Sequence, residues 1–310
     1  MLEWCSWTKE HNVFRHISVI CLFLLLGNVA AAQQLSGHYP PGAEGLKAAT
    51  LPPPGTYLKW YNIAYDAGTL RDGNGHTVPA GFDLDVFATV PRLIKMTDYK
   101  ILGADYGMDI AVPFVNVDLQ IAAQGIKQAK SGLGDILVEP LVLGWHFKQF
   151  DMGLAAGLWC PTGDYSSASP VNVGKGYWTG MFSFGATYYF DEDKTWHLSA
   201  LGRYETSGTK MDQNIRPGDC FHIEWGLGKT IAKNWNVGLT AYTQWQTTRD
   251  SGSGVTYDNT IHDSFYSLGP EVNYFYAPYK TIFSVRTQTE LGVIGRPQGQ
   301  NTVISLTKFF

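Results

Sequence analysis

The sequence predicts an all-β fold, a transmembrane antiparallel up-and-down β-barrel of about twelve strands. First, segments in which apolar and polar residues alternate recur from Gly55 onward, and this period is typical of strands with one face in lipid. Second, the connectors between these segments are alternately long and short. Third, the last segment alternates up to an aromatic residue, Phe310, as expected of the strand that closes a barrel.

The composition agrees with a sheet that is partly in lipid. Only 16% of the 310 residues are charged, against about 25% in soluble proteins, whereas 14% are aromatic and 34 are glycine. The net charge of −4 and the lack of a basic cluster argue against a nucleic-acid partner.

The N-terminal residues have the pattern of a cleavable secretory signal. Lys9 and Arg15 precede an apolar run at residues 17–29, and alanines at 30–32 offer a cleavage site. A membrane anchor is the alternative, but the run is shorter than the roughly 20 residues that a spanning helix needs. We therefore predict a signal peptide (1–32), a Pro-rich N-terminal arm without regular structure (33–54) and an outer-membrane β-barrel (55–310).

Most of the predicted strands are close to the length that a tilted membrane strand needs. The first and fourth alternate poorly, because Lys59 and Glu139 put a charge on whichever face is chosen. The twelve predicted strands are residues 55–66, 83–96, 101–116, 135–147, 150–160, 177–190, 196–206, 219–231, 235–247, 264–276, 280–291 and 301–310.

The order of connector lengths predicts which end of the barrel faces outward. Outer-membrane barrels combine short periplasmic turns with long outer loops. The terminal strand is expected to end at the periplasmic side, which puts the connector before it, 292–300, outside. Every other long connector, including 117–134, is then predicted to lie outside as well.

The face opposite the lipid is predicted to form a polar lumen. Its side chains either pair with one another and simply fill the interior, or form a net-acidic path that tunes solute passage, and both can hold together. The candidates are Asp105, Asp109, Arg203, Glu205, His222, Glu224, Gln244, Glu271, Arg286 and Glu290.

Two cysteines remain after the predicted signal peptide, Cys160 and Cys220. Both are predicted near the outer rim, where they form either a disulfide or two free thiols. Neither has a neighbouring CxxC partner, so no metal site is predicted. The histidines show no metal-binding or catalytic spacing and no G-x-S-x-G motif occurs. We therefore predict no catalytic residue, no cofactor and no enzymatic activity.

Seven short stretches, spread over nearly the whole mature chain, share the pattern of one family. Together they resemble the outer-membrane family named for the meta-pathway of phenol degradation. They are His38-Tyr-Pro-Pro-Gly42, Ser131-Gly-Leu-Gly-Asp135, Pro140-Leu-Val-Leu-Gly-Trp-His146, Pro161-Thr-Gly-Asp-Tyr165, Gly218-Asp-Cys-Phe-His222, Trp225-Gly-Leu-Gly-Lys229 and Arg296-Pro-Gln-Gly299.

The resemblance implies a transporter-like barrel in the bacterial outer membrane that admits small hydrophobic or aromatic compounds by passive uptake. The arm is expected to occupy the lumen as a plug. One alternative is a structural or adhesive barrel with a sealed lumen, and another is an outer-membrane lipid enzyme, which would need a Ser–His pair on the outer surface. The expected partners are outer-membrane lipid, a small hydrophobic or aromatic solute, and the outer-membrane assembly machinery, which would recognise the strand ending at Phe310.

Overall fold

The computed structural model describes residues 37–310, so the predicted signal peptide lies outside the described residues. The described chain contains short 3-10 turns at Ala122–Gln124 and Ala277–Tyr279, and none of its helices is long and apolar enough to cross a membrane. Its strands are β1 (Gly55–Leu70), β2 (Phe82–Ile101), β3 (Ala104–Ala111), β4 (Phe114–Ile121), β5 (Ile126–Leu133), β6 (Ile136–His146), β7 (Phe150–Cys160), β8 (Thr179–Tyr189), β9 (Trp196–Ser207), β10 (Cys220–Ile231), β11 (Trp235–Gln246), β12 (Ser264–Tyr276), β13 (Thr281–Ile294) and β14 (Pro297–Phe309).

These strands form one closed antiparallel barrel with twelve positions around the ring. β1 pairs with both β2 and β14, which closes the sheet. β3 and β4 lie end to end along β2, and β5 and β6 lie end to end beside them, so each of these pairs fills one position. The predicted twelve-stranded barrel is therefore confirmed.

Prolines explain why two ring positions are divided. Pro91 in β2 and Pro113 between β3 and β4 have no N–H group to give to the ladder. Their carbonyls still accept hydrogen bonds, from Val112 N at 3.0 Å and from Gly134 N at 2.8 Å. The sheet thus stays closed across the breaks, and Asp135 lies in the gap between β5 and β6, outside the ladder.

Two connectors that we predicted to be long loops are mostly strand. Residues 117–134 belong to a hairpin of β4 and β5, and the connector 292–300 reduces to a tight turn between β13 and β14. The loop predictions were wrong because these strands carry polar side chains on one face, as loops do. In β4 the polar residues are Asn116, Asp118 and Gln120, each beside an apolar neighbour.

The two ends of the barrel nevertheless differ in their connectors. One end has short turns, at residues 102–103, 147–149, 190–195, 232–234 and 277–280. The other has longer loops, at residues 71–81, 161–178, 208–219 and 247–263. We call the first the periplasmic end and the second the outer end, following the general rule for outer-membrane barrels.

The outside of the barrel is apolar. Phe182 and Phe184 of β8 are each 59% exposed, whereas Ser183 between them is 7% exposed. Other strands carry large exposed apolar side chains in the same way, among them Leu198, Trp225, Leu239, Val285 and Ile304. An apolar belt around a closed sheet is the surface that lipid requires. The protein is an outer-membrane barrel.

Residues 37–54 lie inside the barrel as a chain without regular structure. At the outer end, the His38 ring packs against Trp159 and Tyr177. At the periplasmic end, Tyr57 Oη donates to Pro53 O at 2.6 Å. The main buried cluster therefore forms between the arm and the wall, and its members are Tyr39, Ala43, Ala111, Leu137, Trp159, Met181, Tyr242, Phe265 and Val293.

Candidate functional site: the lumen and the arm inside it

All of the polar residues predicted to face the lumen are buried on the inner side of the wall. Their part in solute passage stays a prediction, but their neighbours are now defined. Those that touch the arm are Arg203, Glu205, His222, Glu224, Glu271 and Arg286. Those with partners on the barrel itself are Asp105 with Lys100, Asp109 with Arg92, Gln244 with Asp263, and Glu290 with Tyr65.

Wall carboxylates accept hydrogen bonds from the backbone of the arm. A buried chain that is neither helix nor strand leaves its N–H groups without ladder partners, and each must find another acceptor. The carboxylates of the lumen wall supply these acceptors, so the acidic residues of the lumen help to hold the arm in place. The pairs are Glu205 with His38 N (3.0 Å) and Tyr39 N (3.1 Å), Glu224 with Glu44 N (2.9 Å), and Glu271 with Leu46 N (3.0 Å).

Wall donors satisfy the carbonyls of the same segment. Arg286 donates to Gly42 O at 2.7 Å and also to Ala43 O, and Asn301 donates to Pro41 O. Gly42 has φ +66°, and a Cβ at this position would overlap the side-chain amide of Gln288. The arm needs glycine here because the turn is left-handed and the wall is in contact.

Glu44, the one acidic residue of segment 37–54, joins a charged network in the middle of the lumen. Its carboxylate accepts from Lys59 Nζ, from Arg92 at 2.9 Å and from Tyr61 Oη at 2.7 Å. Arg92 also donates to Asp109 at 2.7 Å and to Glu139 at 2.6 Å. The arm is thereby tied to three positions of the wall through buried charges.

His38 holds the tip of the arm at the outer end. Its Nε2 lies 2.9 Å from Asp135 Oδ2, and its Nδ1 lies 2.8 Å from Thr179 Oγ1. Because a carboxylate only accepts, Nε2 carries the proton and Nδ1 accepts from the Thr179 hydroxyl. Burial lowers the pKa of His38 below its usual value, despite the nearby Asp135, so this neutral form persists at neutral pH.

Asp135 also fixes an outer loop. Its two carboxylate oxygens accept from Gly163 N at 2.9 Å and from Lys175 N at 2.7 Å, at the two ends of the 161–178 loop. The wall, the loop and the arm therefore share one carboxylate. Several of the short stretches noted in the sequence meet here, since His38, Asp135 and Gly163 come from three of them.

The order Thr179–His38–Asp135 resembles the nucleophile, base and acid of a hydrolytic triad. Thr179, however, has no exposed surface and lies inside the barrel, beneath the tip of the arm. A lipid enzyme was expected to present such a pair on the outer surface. In this barrel the contacts anchor the arm.

A cavity of about 600 Å³ remains between residues 44–53 of the arm and the wall. It extends from the middle of the lumen to the periplasmic turn at 232–234. Apolar side chains form much of its surface, among them Leu51, Ile94, Val142, Leu201 and Phe275. The lumen is therefore filled by the arm at its outer half and partly empty toward the periplasm.

The possible disulfide between Cys160 and Cys220 is not formed in the part of the chain that the structure describes. Cys160 ends β7 and Cys220 begins β10, with two strands between them. At a strand spacing of roughly 4.8 Å, the two Cα atoms are about 14 Å apart along the wall, whereas a disulfide needs less than about 7 Å. Trp159 faces inward, so Cys160 faces outward, while Cys220 is fully buried on the inner side.

Sequence reasoning missed Tyr39, Glu44, Arg92 and Asp135 as parts of this site. Two of their partners did give a signal. Lys59 and Glu139 disturbed the alternation of their strands, and both prove to belong to the charged network around Arg92 and Glu44. A charge that fits neither face of a membrane strand is therefore a sign of a buried partner.

The closed wall, the apolar belt and the occupied lumen define an outer-membrane β-barrel that contains its own N-terminal segment. The chain belongs to the family described as "Putative MetA-pathway of phenol degradation", whose sequence profile matches residues 67–306. The match covers the barrel wall and confirms the family resemblance seen in the sequence. No curated protein matches the chain.

Three solved structures are similar to this chain to different degrees. The COG4313 outer membrane channel from Pseudomonas putida F1 superposes with a TM-score of 0.75 at 16% identity, covering 88% of this chain and all of that one (100%). The β domain of the Bordetella autotransporter BrkA gives a TM-score of 0.47 at 12% identity, over 84% of this chain and 100% of that one. The CymD monoaromatic hydrocarbon channel gives a TM-score of 0.42 at 10% identity, over 84% of this chain and 89% of that one. At such low scores the last two structures support no conclusion about this chain.

Proposed function

We propose that this protein is an outer-membrane channel for the passive uptake of small hydrophobic or aromatic compounds, and that its arm is the plug. The observation that carries the proposal is the way the lumen is filled. Polar contacts to wall side chains hold the arm, and a cavity rich in apolar surface remains beside it. Hydrogen bonds of this kind can be exchanged for hydrogen bonds to water, so their net contribution to holding the arm is small.

The comparisons support the same proposal. The solved structure with the TM-score of 0.75 is described as an outer membrane channel, and the family takes its name from phenol degradation. A channel that admits aromatic compounds for breakdown agrees with both.

The test is uptake by intact cells, because hydrophobic solutes cross a plain phospholipid bilayer without help. Initial uptake of radiolabelled toluene and of a sugar would be measured in a strain with the gene deleted and in the complemented strain. We expect the deletion to slow toluene uptake several-fold and to leave sugar uptake unchanged. Equal toluene uptake in the two strains would favour the alternative, a structural or adhesive barrel with a sealed lumen.

A second experiment addresses the plug. Removing residues 37–54 takes away the chain that fills the outer half of the lumen, so single-channel conductance should rise above that of the full mature protein. Conductance that does not change on deletion would remove the plug from the proposal.

We also propose that β14 is the strand that the outer-membrane assembly machinery recognises, with outer-membrane lipid as the final surroundings of the barrel. β14 supports this because it pairs with β13 and with β1, and so completes the ring.

A further inference from the structure

The imidazole of His38 occupies a space with aromatic walls, which we call the His38 seat. The imidazole stacks on the Trp159 ring, with ring centroids 5.7 Å apart and planes inclined by 21°. It meets the Tyr177 ring edge-on, with centroids 4.7 Å apart. Trp159 Nε1 and Tyr177 Oη have no hydrogen-bond partner in the described part of the chain, so these two residues meet His38 through ring contacts. Such contacts favour a planar aromatic occupant.

Two polar atoms at the ends of the seat are matched to the imidazole. Asp135 Oδ2 accepts from Nε2 at 2.9 Å, and Thr179 Oγ1 donates to Nδ1 at 2.8 Å. Because both atoms touch the imidazole directly, both face the space that it leaves when the side chain moves away. A buried polar group without a partner is costly. Any other occupant of the seat therefore needs a donor for Asp135 and an acceptor for Thr179.

The seat lies at the outer end, where a solute from outside first meets the arm. Tyr177 belongs to the 161–178 loop, and Asp135 holds both ends of that loop. The backbone of the arm tip is held separately, because Glu205 accepts from the N–H group of His38 at 3.0 Å. The imidazole can therefore leave the seat while the backbone of the tip keeps its own contact with the wall.

We propose that the His38 seat binds a monoaromatic solute with a donor and an acceptor on neighbouring ring atoms, and that this solute replaces the imidazole. The proposal rests on the proposed channel function and specifies the solute recognised at the outer end. The ring lies between Trp159 and Tyr177, one polar group donates to Asp135, and the other accepts from Thr179. Catechol has this pattern, because its two hydroxyls lie close together on one ring, as the two nitrogens of imidazole do.

His38→Ala tests the seat by emptying it. Catechol binding to the full mature protein in detergent would be measured by oxygen-free isothermal titration calorimetry at neutral pH, with detergent alone as the blank. We expect saturable binding to the variant, at least tenfold tighter than to the parent protein, because the tethered imidazole of the parent competes for the same space. Toluene lacks the polar groups and cyclohexanediol lacks the aromatic ring, so each should bind the variant at least tenfold more weakly than catechol.

Thr179→Val in the His38→Ala background locates the bound catechol. Valine keeps the shape of the side chain and removes the hydroxyl, so catechol affinity should fall about tenfold. Thr187→Val in the same background is the matched control. Thr187 also lies on β8 and has no exposed surface, but it is about 27 Å from Thr179 along the strand. It should leave catechol affinity unchanged.

A measurement on the parent protein does not depend on the folding of any variant. Catechol at saturating concentration takes the place of the imidazole, so the arm tip loses its side-chain anchor. Hydrogen exchange in segment 37–54 should therefore become faster. Cyclohexanediol at the same concentration should leave the exchange rates as they are.

Four results would overturn the proposal: equal catechol affinity in His38→Ala and the parent protein, no loss of affinity on Thr179→Val, cyclohexanediol binding as tightly as catechol, or unchanged hydrogen exchange in the parent protein with catechol. These outcomes are separate from those of the uptake experiment. If toluene uptake depends on the gene and catechol does not bind, the channel stands and the proposed solute site falls. If catechol binds through Thr179 and uptake does not depend on the gene, the site stands and the channel falls.

Discussion

His38 in the arm and Asp135 in the wall are joined by a hydrogen bond of 2.9 Å, although they are 97 residues apart in the chain. The same carboxylate holds Gly163 and Lys175 at the two ends of an outer loop. Release of the arm tip and movement of the 161–178 loop are therefore coupled, because both depend on one side chain.

Asp135→Asn is expected to loosen the tip of the arm and the loop together. The substitution keeps the size of the side chain but replaces one acceptor oxygen with an N–H₂ group, which faces donors. Limited proteolysis of the folded protein should show faster cleavage within both 37–54 and 161–178. Asp164→Asn, in the same loop but with a largely exposed side chain, should leave both cleavage rates as they are. Faster cleavage of the loop alone would contradict the coupling.

Glu44→Gln is expected to weaken the docking of the arm in the middle of the lumen. It removes the negative charge that Lys59 and Arg92 share, and breaking a buried ion pair costs about 3–5 kcal/mol. Asp109 and Glu139 still face Arg92, so the cost should fall at the lower end of that range. Single-channel recordings should show more frequent or larger openings than in the parent protein.

Glu192→Gln is the control for that substitution, because Glu192 lies exposed in a periplasmic turn. It should not alter the recordings. If Glu44→Gln also behaves like the parent protein, the central charged network does not hold the arm.

Gly42→Ala tests the close contact between the arm and the wall. An alanine would strain a backbone with φ +66° and would place its Cβ against Gln288. The left-handed conformation alone costs about 1–2 kcal/mol, and the overlap adds to it. Hydrogen exchange in segment 37–54 should therefore become faster.

Gly68→Ala, in β1, is the matched variant, because a Cβ at Gly68 has no atom within 4 Å. Exchange in the arm should stay at the parental rate. Equal rates of hydrogen exchange in segment 37–54 of the two alanine variants would mean that the arm can accommodate a Cβ at residue 42.

Acid is expected to release the tip of the arm. The docked His38 has a pKa below the ordinary value of 6.5, because burial opposes its charged form. The undocked arm therefore binds a proton more readily, so docking is fully stable above about pH 6.5 and loses stability as the pH falls through that value. Conductance at pH 5.5 should exceed that at pH 7.5.

His38→Gln identifies the group responsible for this pH dependence. Glutamine does not titrate, so the variant should show a smaller difference between the two pH values. If the variant keeps the full difference in conductance between pH 5.5 and pH 7.5, another titrating group of the lumen causes the effect.

The sequence predicted the wall far better than the site. Alternation over a few residues is a local property, and it revealed most ring positions, although it was poor in the strands that contain Lys59 and Glu139. It failed at β4 and β5, where Asn116, Asp118 and Gln120 sit on strands that we took for a loop. Residues 117–134 form strands because β4 pairs with β2 and β5, and a local sequence pattern does not show such pairing.

The arm depends on contacts that sequence patterns do not show. The prolines of the arm correctly excluded helix and strand, but they did not show which residues would form hydrogen bonds with its backbone. Those partners, such as Glu271 for Leu46 and Arg286 for Gly42, lie more than 200 residues away along the chain. Asp135 was visible only as part of a Gly-rich turn, because its neighbours come together only in the folded barrel.

Gly55 joins the arm to β1 at the periplasmic end, so an arm that has lost its contacts with the lumen wall is still attached to the barrel. Its return to the lumen is then an intramolecular event. Short flexible tethers give effective concentrations in the millimolar range, far above what a separate peptide would reach. Under the proposed plug function, we therefore expect the channel to reclose by itself after each opening.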